Sequence, residues 1–338
     1  MNLSIGIVGL PNVGKSTLFK HLTNNEVHIA NYPFATIDPN VGVVEVPDTR
    51  LEELSTVCES EQKIPAAVEF YDIAGLVEGA NKGEGLGNQF LHHIRETKAI
   101  VQVVRCFEDE NVIHVQGGPN PVRDITTINT ELMLKDIDSV QSRLDKTTKE
   151  ARTGDKEKIK EQQILQQVLD ALGEEKLVSS LPEEVGTQHP AVTQLNLLTA
   201  KKQMYLLNGV RTKIDPNFLA FLDSINMPYI IADLSQDKVE LQELITTAYS
   251  ILGLISFFTA GEKETRAWTI TKGESAPQAA GAIHTDFEKK FIRAEVVGAK
   301  ELIESGGWKQ ARTKGLVRLE GKEYIVQDGD VMIIKHGQ

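Results

Sequence analysis

Short apolar runs alternate with longer segments of helical periodicity along much of the chain. The runs occupy residues 3–8, 67–71, 100–104, 204–207 and 229–232. Continuous apolar runs of this length are typical of strands buried on both faces, and the segments between them supply connecting helices. The pattern therefore predicts an α/β fold with a doubly wound, mainly parallel sheet.

Two apolar stripes at helical spacing interrupt this alternation. The first stripe is Met133, Ile137, Val140 and Leu144, and the second is Leu165, Val168, Leu169 and Leu172. Gly154 and Asp155 break the helical pattern between them. Two helices packed as an antiparallel hairpin would bury both stripes. The Lys and Glu residues around the stripes are interpreted as a solvated outer face.

Near Ser256 the pattern changes to short strand-like runs and turns. Residues 291–297 have the pattern of one strand, and 324–326 with 331–335 predict a hairpin. Three parts are therefore predicted: an α/β domain at 1–128 and 198–255, the helical hairpin at 129–197, and a small C-terminal α+β domain at 256–338.

Composition and charge narrow the function classes. The 338 residues are 41% hydrophobic and 25% charged, which is typical of a soluble globular protein. No run approaches the roughly 18 apolar residues of a membrane span, and the chain starts on a strand-like pattern without a signal-peptide layout. The two cysteines, Cys58 and Cys106, form no metal or disulfide framework. We expect a cytoplasmic protein without a membrane partner. The net charge of −12 argues against coating of DNA, so any nucleic-acid contact must be local.

A phosphate-binding loop follows the first apolar run. Residues 9–16, GLPNVGKS, match G-x-x-x-x-G-K-[ST] and precede a helical segment. In this motif backbone N–H groups surround the phosphates, the lysine contacts the β and γ oxygens, and the serine coordinates Mg²⁺. The residues predicted to bind the nucleotide here are Asn12, Val13, Gly14, Lys15, Ser16 and Thr17. The alternative is an incidental glycine-rich turn.

A second motif predicts the Mg²⁺ site and the sensor of the terminal phosphate. Asp72 and Gly75 form D-x-x-G at the end of the run 67–71. The carboxylate can hold Mg²⁺ and the Gly75 N–H can meet the γ-phosphate. Thr36 lies between the two motifs and can supply another ligand, so Ser16, Thr36 and Asp72 are the predicted metal ligands. Alternatively, Thr36 is only a turn hydroxyl.

The residue after this motif is Leu76, where many such proteins hold a water-orienting glutamine. Leucine cannot orient water through a hydrogen bond, so another polar group must do so. His114 is our candidate, because imidazole can donate or accept near neutral pH. The predicted catalytic residues are therefore Lys15, Gly75 and His114, with a structural role for His114 as the alternative.

Asn208 ends the run 204–207, where P-loop switch proteins place N-K-x-D. The aspartate of that motif accepts hydrogen bonds from guanine, whereas Arg211 stands three residues after Asn208 here and cannot accept. We expect Asn208, Gly209 and Val210 to contact the base and ATP to be preferred over GTP. The alternative is that Asn208 and Gly209 form only a strand-ending turn.

Longer segments carry a family resemblance over nearly the whole chain. They include GLPNVGKSTLF, NYPFATIDPNVGVV, DIAGLVEGANKGEGLGNQFL, FFTAGEKETRAWTI and EGKEYIVQDGDVM. With these segments the chain resembles the Obg-like ATPases, the YchF proteins. The resemblance implies a G-domain interrupted by a helical hairpin, a C-terminal TGS domain with a β-grasp-like fold, preference for ATP, and association with ribosomes or translation factors.

Two features depart from that family. The glutamate expected near Asn208 is missing, and the segment between Ser235 and Ser256 is shorter than expected. The leading hypothesis is an Mg²⁺-dependent ATPase that switches conformation on a ribosome-like partner, with a nucleotide-gated adaptor as the alternative and a metabolic kinase third. Several basic residues of the C-terminal domain can meet RNA phosphates, with a solvated charged face as the alternative: Lys289, Lys290, Arg293, Lys309, Arg312, Lys314 and Arg318.

Overall fold

The computed structural model describes residues 4–23, 40–73, 94–109, 118–236, 239 and 241–337. These residues form two compact units. The first unit contains the described residues up to 42 and those from 69 to 241. The second contains residues 43–68 and 242–337.

Twelve strands are present in the described part of the chain. They are β1 (Ser4–Val8), β2 (Val41–Glu45), β3 (Gln62–Ile64), β4 (Ala67–Asp72), β5 (Ala99–Arg105), β6 (Lys202–Asn208), β7 (Tyr229–Ala232), β8 (Leu254–Ala260), β9 (Glu264–Thr271), β10 (Phe291–Gly298), β11 (Arg318–Glu320) and β12 (Asp330–His336).

The α-helices of the same residues follow in chain order. They are α1 (Lys15–Thr23), α2 (Thr49–Val57), α3 (Pro121–Ala151), α4 (Lys156–Gly173), α5 (Pro190–Thr193), α6 (Pro216–Ser224), α7 (Gln242–Ile251), α8 (Ala276–Ile283), α9 (Thr285–Lys289), α10 (Ala299–Ser305) and α11 (Trp308–Thr313). Short 3-10 helices occupy Val178–Ser180 and Arg211–Lys213.

The first sheet has the strand order β2-β4-β1-β5-β6-β7, and β1 pairs in parallel with both β4 and β5. The pairs β5–β6 and β6–β7 are parallel as well. Every residue of β1 and β5 is buried, as their mainly apolar sequences predict. The predicted α/β class is confirmed. Because the strands are parallel, the loops after β1, β4, β6 and β7 all leave from the carboxyl edge of the sheet.

Helices α3 and α4 form the predicted hairpin. Both predicted stripes contribute to one apolar cluster, in which Val140, Leu165 and Val168 are fully buried. The Asn120 side chain caps α3 by accepting from the Arg123 N–H, at 3.0 Å. Helix α3 therefore begins at Pro121, eight residues before the predicted boundary at 129, because the N-cap lies upstream of the first apolar stripe residue.

The second unit is a mixed sheet with helices, in the order β11-β10-β12-β8-β9-β3. It includes residues 43–68, which the prediction assigned to the nucleotide-binding domain. The reason is that β3 pairs in parallel with β9, with Gln62 opposite Glu264. Arg50 of α2 also donates to Asp328, at 2.7 Å. The compact unit is thus larger than the predicted domain 256–338.

The predicted hairpin of 324–326 with 331–335 is not formed. The Val326 N–H donates to the Glu274 carbonyl at 3.0 Å, which leads this segment away from β12. Strand β12 instead pairs antiparallel with β10 and in parallel with β8. Asp330 accepts from the Tyr324 hydroxyl and the Gln327 N–H, both at 2.8 Å, and so closes the turn without a two-stranded ladder.

Across the described residues, no helix combines the length and the apolar character that a membrane crossing requires.

Candidate functional site

The turn from β1 into α1 forms the phosphate-binding loop of the first unit. Gly14 has a φ of +106°, and a Cβ at this position would lie only 2.6 Å from the Asn208 amide nitrogen. Both the backbone conformation and the close packing therefore require glycine. The Gly14 carbonyl accepts from the Leu18 N–H at 2.9 Å, so the loop passes directly into the first helical turn. The N-terminal N–H groups of α1 are consequently aimed into the loop.

Lys15 is buried against this loop. Its ammonium donates to the carbonyls of Gly9 at 3.0 Å and Leu10 at 2.8 Å. Burial lowers the pKa of Lys15 to about 8, and the charge of Asp72 partly opposes this shift. The structure thus holds a desolvated cation inside the loop, where phosphate oxygens would interact with it strongly.

Ser16 and Asp72 come together from separate motifs. The Ser16 hydroxyl donates to Asp72 Oδ2 at 3.4 Å, which joins the start of α1 to the end of β4. A hydroxyl and a carboxylate are hard oxygen ligands of the kind that Mg²⁺ prefers. The donor set therefore fits this ion. The third predicted ligand, Thr36, lies outside the described residues, as do Gly75, Leu76 and His114.

Asn208 fixes the loop from the adjacent strand. Its Nδ2 donates to the Val13 carbonyl at 2.9 Å, and its Oδ1 accepts from the Leu234 N–H at 3.1 Å. The side chain is 5% exposed. Asn208 therefore ties the end of β6 to both the phosphate-binding loop and the turn after β7.

Gly209 and Val210, the two residues after Asn208, differ in solvent exposure. A Cβ on Gly209 would lie 2.8 Å from the Cys106 carbonyl oxygen, so the close approach of β5 and β6 explains the glycine. Val210 is 40% exposed and borders the cleft. Arg211 starts an exposed 3-10 turn.

An open cleft lies at the carboxyl edge of the sheet. Its lining includes predicted residues Asn12, Gly14, Lys15, Ser16, Thr17, Asn208, Gly209 and Val210. Val13 is buried beneath the loop and takes part through its carbonyl. The structure therefore brings the predicted phosphate-binding and base-contact segments to one cleft.

The cleft also contains residues that the sequence did not single out, notably Phe107 and Asp233. The buried Arg105 guanidinium lies over the Phe107 ring at 4.6 Å and donates to the Phe107 carbonyl at 3.1 Å. Asp233 accepts from the Ser235 hydroxyl at 2.6 Å and the Ser235 N–H at 3.1 Å, which lower its pKa. Both residues follow predicted strands within a few positions, and that placement was the available signal.

The parallel sheet, the phosphate-binding loop and the Asn208 side chain beneath it define a P-loop nucleoside triphosphatase. The protein named "Ribosome-binding ATPase YchF" from Bacillus subtilis (strain 168) is 45% identical over 361 residues, which cover 98% of this chain and 98% of that relative. The chain belongs to the YchF family of P-loop GTPases. The alignment is longer than the 338 residues of this chain, so the relative carries residues without a counterpart here.

Further comparisons cover both units. A family model described as a 50S ribosome-binding GTPase matches residues 4–138, and the YchF-GTPase_C model, described as a protein of unknown function, matches 254–337. The protein of Escherichia coli O157:H7 named "Ribosome-binding ATPase YchF" is 44% identical, with 98% of both chains covered. The solved structure of the Schizosaccharomyces pombe YchF GTPase has a TM-score of 0.87 at 38% identity, covering 99% of this chain and 98% of that chain.

Proposed function

We propose that this protein is an Mg²⁺-dependent ATPase that works as a conformational switch on the ribosome. The observation that carries the proposal is that Asp72, at the end of β4, meets Ser16 beside the buried Lys15, at a phosphate-binding loop that Asn208 fixes. The bacterial relatives are named ribosome-binding ATPases, and these names support both ATP as the nucleotide and the ribosome as the partner.

The phosphate end of the site follows from the chain's own groups. Lys15 and the N–H groups at the start of α1 orient the β and γ phosphates. Ser16 and Asp72, with Thr36 as the further proposed ligand, would hold Mg²⁺. When bound, the ion neutralises charge on the phosphate oxygens. Gly75 is proposed to contact the γ-phosphate through its N–H.

The base end favours adenine. The Asn208 side-chain carbonyl oxygen accepts from the Leu234 N–H, and one amide N–H donates to the Val13 carbonyl. The second amide N–H is left for the base. Guanine would bury two donors without the carboxylate of N-K-x-D, at about 1–3 kcal/mol for each unsatisfied group. Adenine presents one amine and ring nitrogens that Asn208 and nearby backbone can pair. We therefore propose a modest preference for ATP, with GTP as the alternative substrate.

Hydrolysis requires a group that orients water. Leu76 has no such group, so we expect unaided turnover to be slow and a partner to accelerate it. His114 is proposed as the side chain that orients the water.

Calorimetric titration with ATP and GTP, combined with turnover measured with and without purified 70S ribosomes, tests the proposal. We expect tighter binding of ATP, dependence on Mg²⁺, and stimulation of turnover by ribosomes. Tighter binding of GTP would refute the base assignment. Turnover that ribosomes leave unchanged would instead favour a nucleotide-gated adaptor.

A further inference from the structure

The distal end of the helical hairpin carries a group of cations without ion-pair partners among the described residues. We call residues 146–160, from the end of α3 to the start of α4, the hairpin tip. Its exposed unpaired cations are Lys146, Lys149, Arg152, Lys156 and Lys160. A lone exposed lysine is ordinary, but five within fifteen residues form a local positive surface.

Two carboxylates near the tip, Glu150 and Glu161, form ion pairs that hold the two helices together. Lys158 bridges Glu150 at 3.1 Å and Glu161 at 2.9 Å. Arg143 contacts the same Glu161 at 2.6 Å. Asp155 caps α4 by accepting from the Glu157 N–H at 2.9 Å. Glu150 and Glu161 are therefore already paired with cations that the hairpin uses internally.

The local charge opposes that of the whole chain. Between residues 143 and 161 there are seven cationic and five acidic side chains, whereas the chain has a net charge of −12. An acidic protein can contact a polyanion only where a local positive surface overcomes its overall field. The tip provides such a surface.

The chemistry of the tip fits RNA phosphates better than a protein. Protein interfaces are built on aromatic and large apolar anchors. The one large hydrophobic side chain exposed on the described tip is Ile159, at 38%. Lysine and arginine on a firmly capped helical turn can instead follow a phosphate backbone, which needs charge and reach rather than a pocket.

Part of the basic region predicted in the C-terminal domain is paired with carboxylates. Arg312 pairs with Glu295 at 2.7 Å. Arg318 contacts Glu320 at 3.4 Å and Asp330 at 3.6 Å. Two of the seven predicted cations are thus neutralised within their own unit.

We propose that the hairpin tip contacts the phosphate backbone of RNA. The proposal rests on the proposed ribosome association and names the surface through which that association takes place. The cations of the hairpin tip are accordingly of two kinds: Lys158, which pairs with Glu150 and Glu161, and the five unpaired cations that meet the RNA.

A charge-matched pair of variants tests the proposal in the full chain. The tip variant is Lys149→Gln, Arg152→Gln and Lys156→Gln. The control variant is Lys263→Gln, Lys272→Gln and Lys322→Gln, three exposed lysines of the second unit. Glutamine keeps helix propensity close to that of lysine, and thermal unfolding verifies that both variants are folded. The probes are purified 70S ribosomes and the rRNA extracted from them.

We expect the tip variant to lose about tenfold or more in affinity for both probes at about 0.1 M salt. The slope of log affinity against log salt should become shallower by about 2–3, since three phosphate contacts are removed. The control variant should bind as the wild type does, and ATP turnover without ribosomes should be the same in all three proteins.

Four outcomes overturn the proposal. Two are a wild type that does not bind rRNA and a tip variant that binds both probes normally. The others are equal losses of affinity in the tip and control variants, and a tip variant that loses ribosome binding but still binds naked rRNA. The last outcome identifies an acidic ribosomal protein as the partner. If the wild type binds rRNA but hydrolyses no ATP, and the tip variant loses rRNA binding, the proposed function is refuted and this inference stands.

Discussion

The Asn208 amide nitrogen lies 2.9 Å from the carbonyl oxygen of Val13, so the end of β6 is bonded to the phosphate-binding loop. The same side chain accepts from the Leu234 N–H. One buried amide thus holds three loops of the cleft in a fixed relation, and base recognition and phosphate binding depend on the same residue.

Asn208→Ala should weaken both the fold and nucleotide binding. The change leaves the Val13 carbonyl and the Leu234 N–H unpaired in a buried place, at about 1–3 kcal/mol for each group. We expect a lower free energy of unfolding and a loss of about tenfold in ATP affinity, measured by denaturant titration and calorimetry. Asn217→Ala is the control, because Asn217 is exposed and, among the described residues, its side chain donates only to the nearby Asp215. Equal effects of the two changes would contradict the assignment.

ATP binding should take up a proton on Lys15 above about pH 8. Burial lowers the pKa of Lys15 to about 8, so at about pH 9 the side chain is mostly neutral in the free protein. Phosphate oxygens favour the charged ammonium and raise that pKa. ATP affinity should therefore fall as pH rises from about 8 to 10. Calorimetry at about pH 9 in two buffers of different ionisation enthalpy measures the uptake. Titrations near pH 7, where Lys15 is charged in both states, are the control; a buffer-independent enthalpy at about pH 9 would refute the prediction.

Ser16→Ala and Asp72→Asn should each remove the effect of Mg²⁺ on ATP affinity. The first change removes the Ser16 hydroxyl, and the second removes the charge of the Asp72 carboxylate, whose Oδ2 lies 3.4 Å from that hydroxyl. Turnover should drop by about 100-fold or more, as for other losses of preorganised charge stabilisation. The measurement is the ATP dissociation constant with Mg²⁺ and with EDTA. Thr23→Ala is the matched control, because within the described part of the chain the Thr23 hydroxyl on the same helix bonds only to backbone carbonyls. If Ser16→Ala keeps a full response to Mg²⁺, the site is elsewhere.

Arg211→Asp should shift the base preference toward guanine. The change places a carboxylate three residues after Asn208, and this carboxylate can accept hydrogen bonds from the two donors of guanine. Arg211 is exposed, so the fold should tolerate the substitution. Competition of labelled ATP by unlabelled GTP gives the ratio of affinities for wild type and variant. Arg211→Gln, which removes the charge without adding an acceptor carboxylate, is the control and should leave the ratio nearly unchanged.

His114→Ala should lower turnover by about 100-fold while ATP affinity changes little, if this side chain orients the attacking water. The position lies outside the described residues, so the prediction rests on the sequence. Single-turnover hydrolysis and calorimetry separate the two effects. His336→Ala, at an exposed position in the second unit, is the control. Normal turnover in His114→Ala would transfer the role to a partner.

Elements with a local sequence signal could be predicted before the structure was known. The five apolar runs lie in strands of the first sheet, apart from Leu3, which precedes the described residues. Strands β1 and β5 are buried on both faces, as continuous apolar runs predict, whereas burial alternates along β4 and β7. The stripes around Val140 and Val168 placed the hairpin, since helical packing requires a repeated apolar spacing. The phosphate-binding loop could be predicted from the sequence because its conformation needs particular residues at fixed positions.

Contacts between residues far apart in the chain could not be predicted from local sequence patterns. That β3 completes a sheet with β9, and that Val326 turns to Glu274 rather than pairing with β12, depends on hydrogen bonds between segments far apart in the chain. The sequence likewise shows which lysines are present but not which of them are neutralised. Lys158 is paired with Glu150 and Glu161, whereas Lys156 and Lys160 are not, because pairing depends on which side of a helix faces its neighbour.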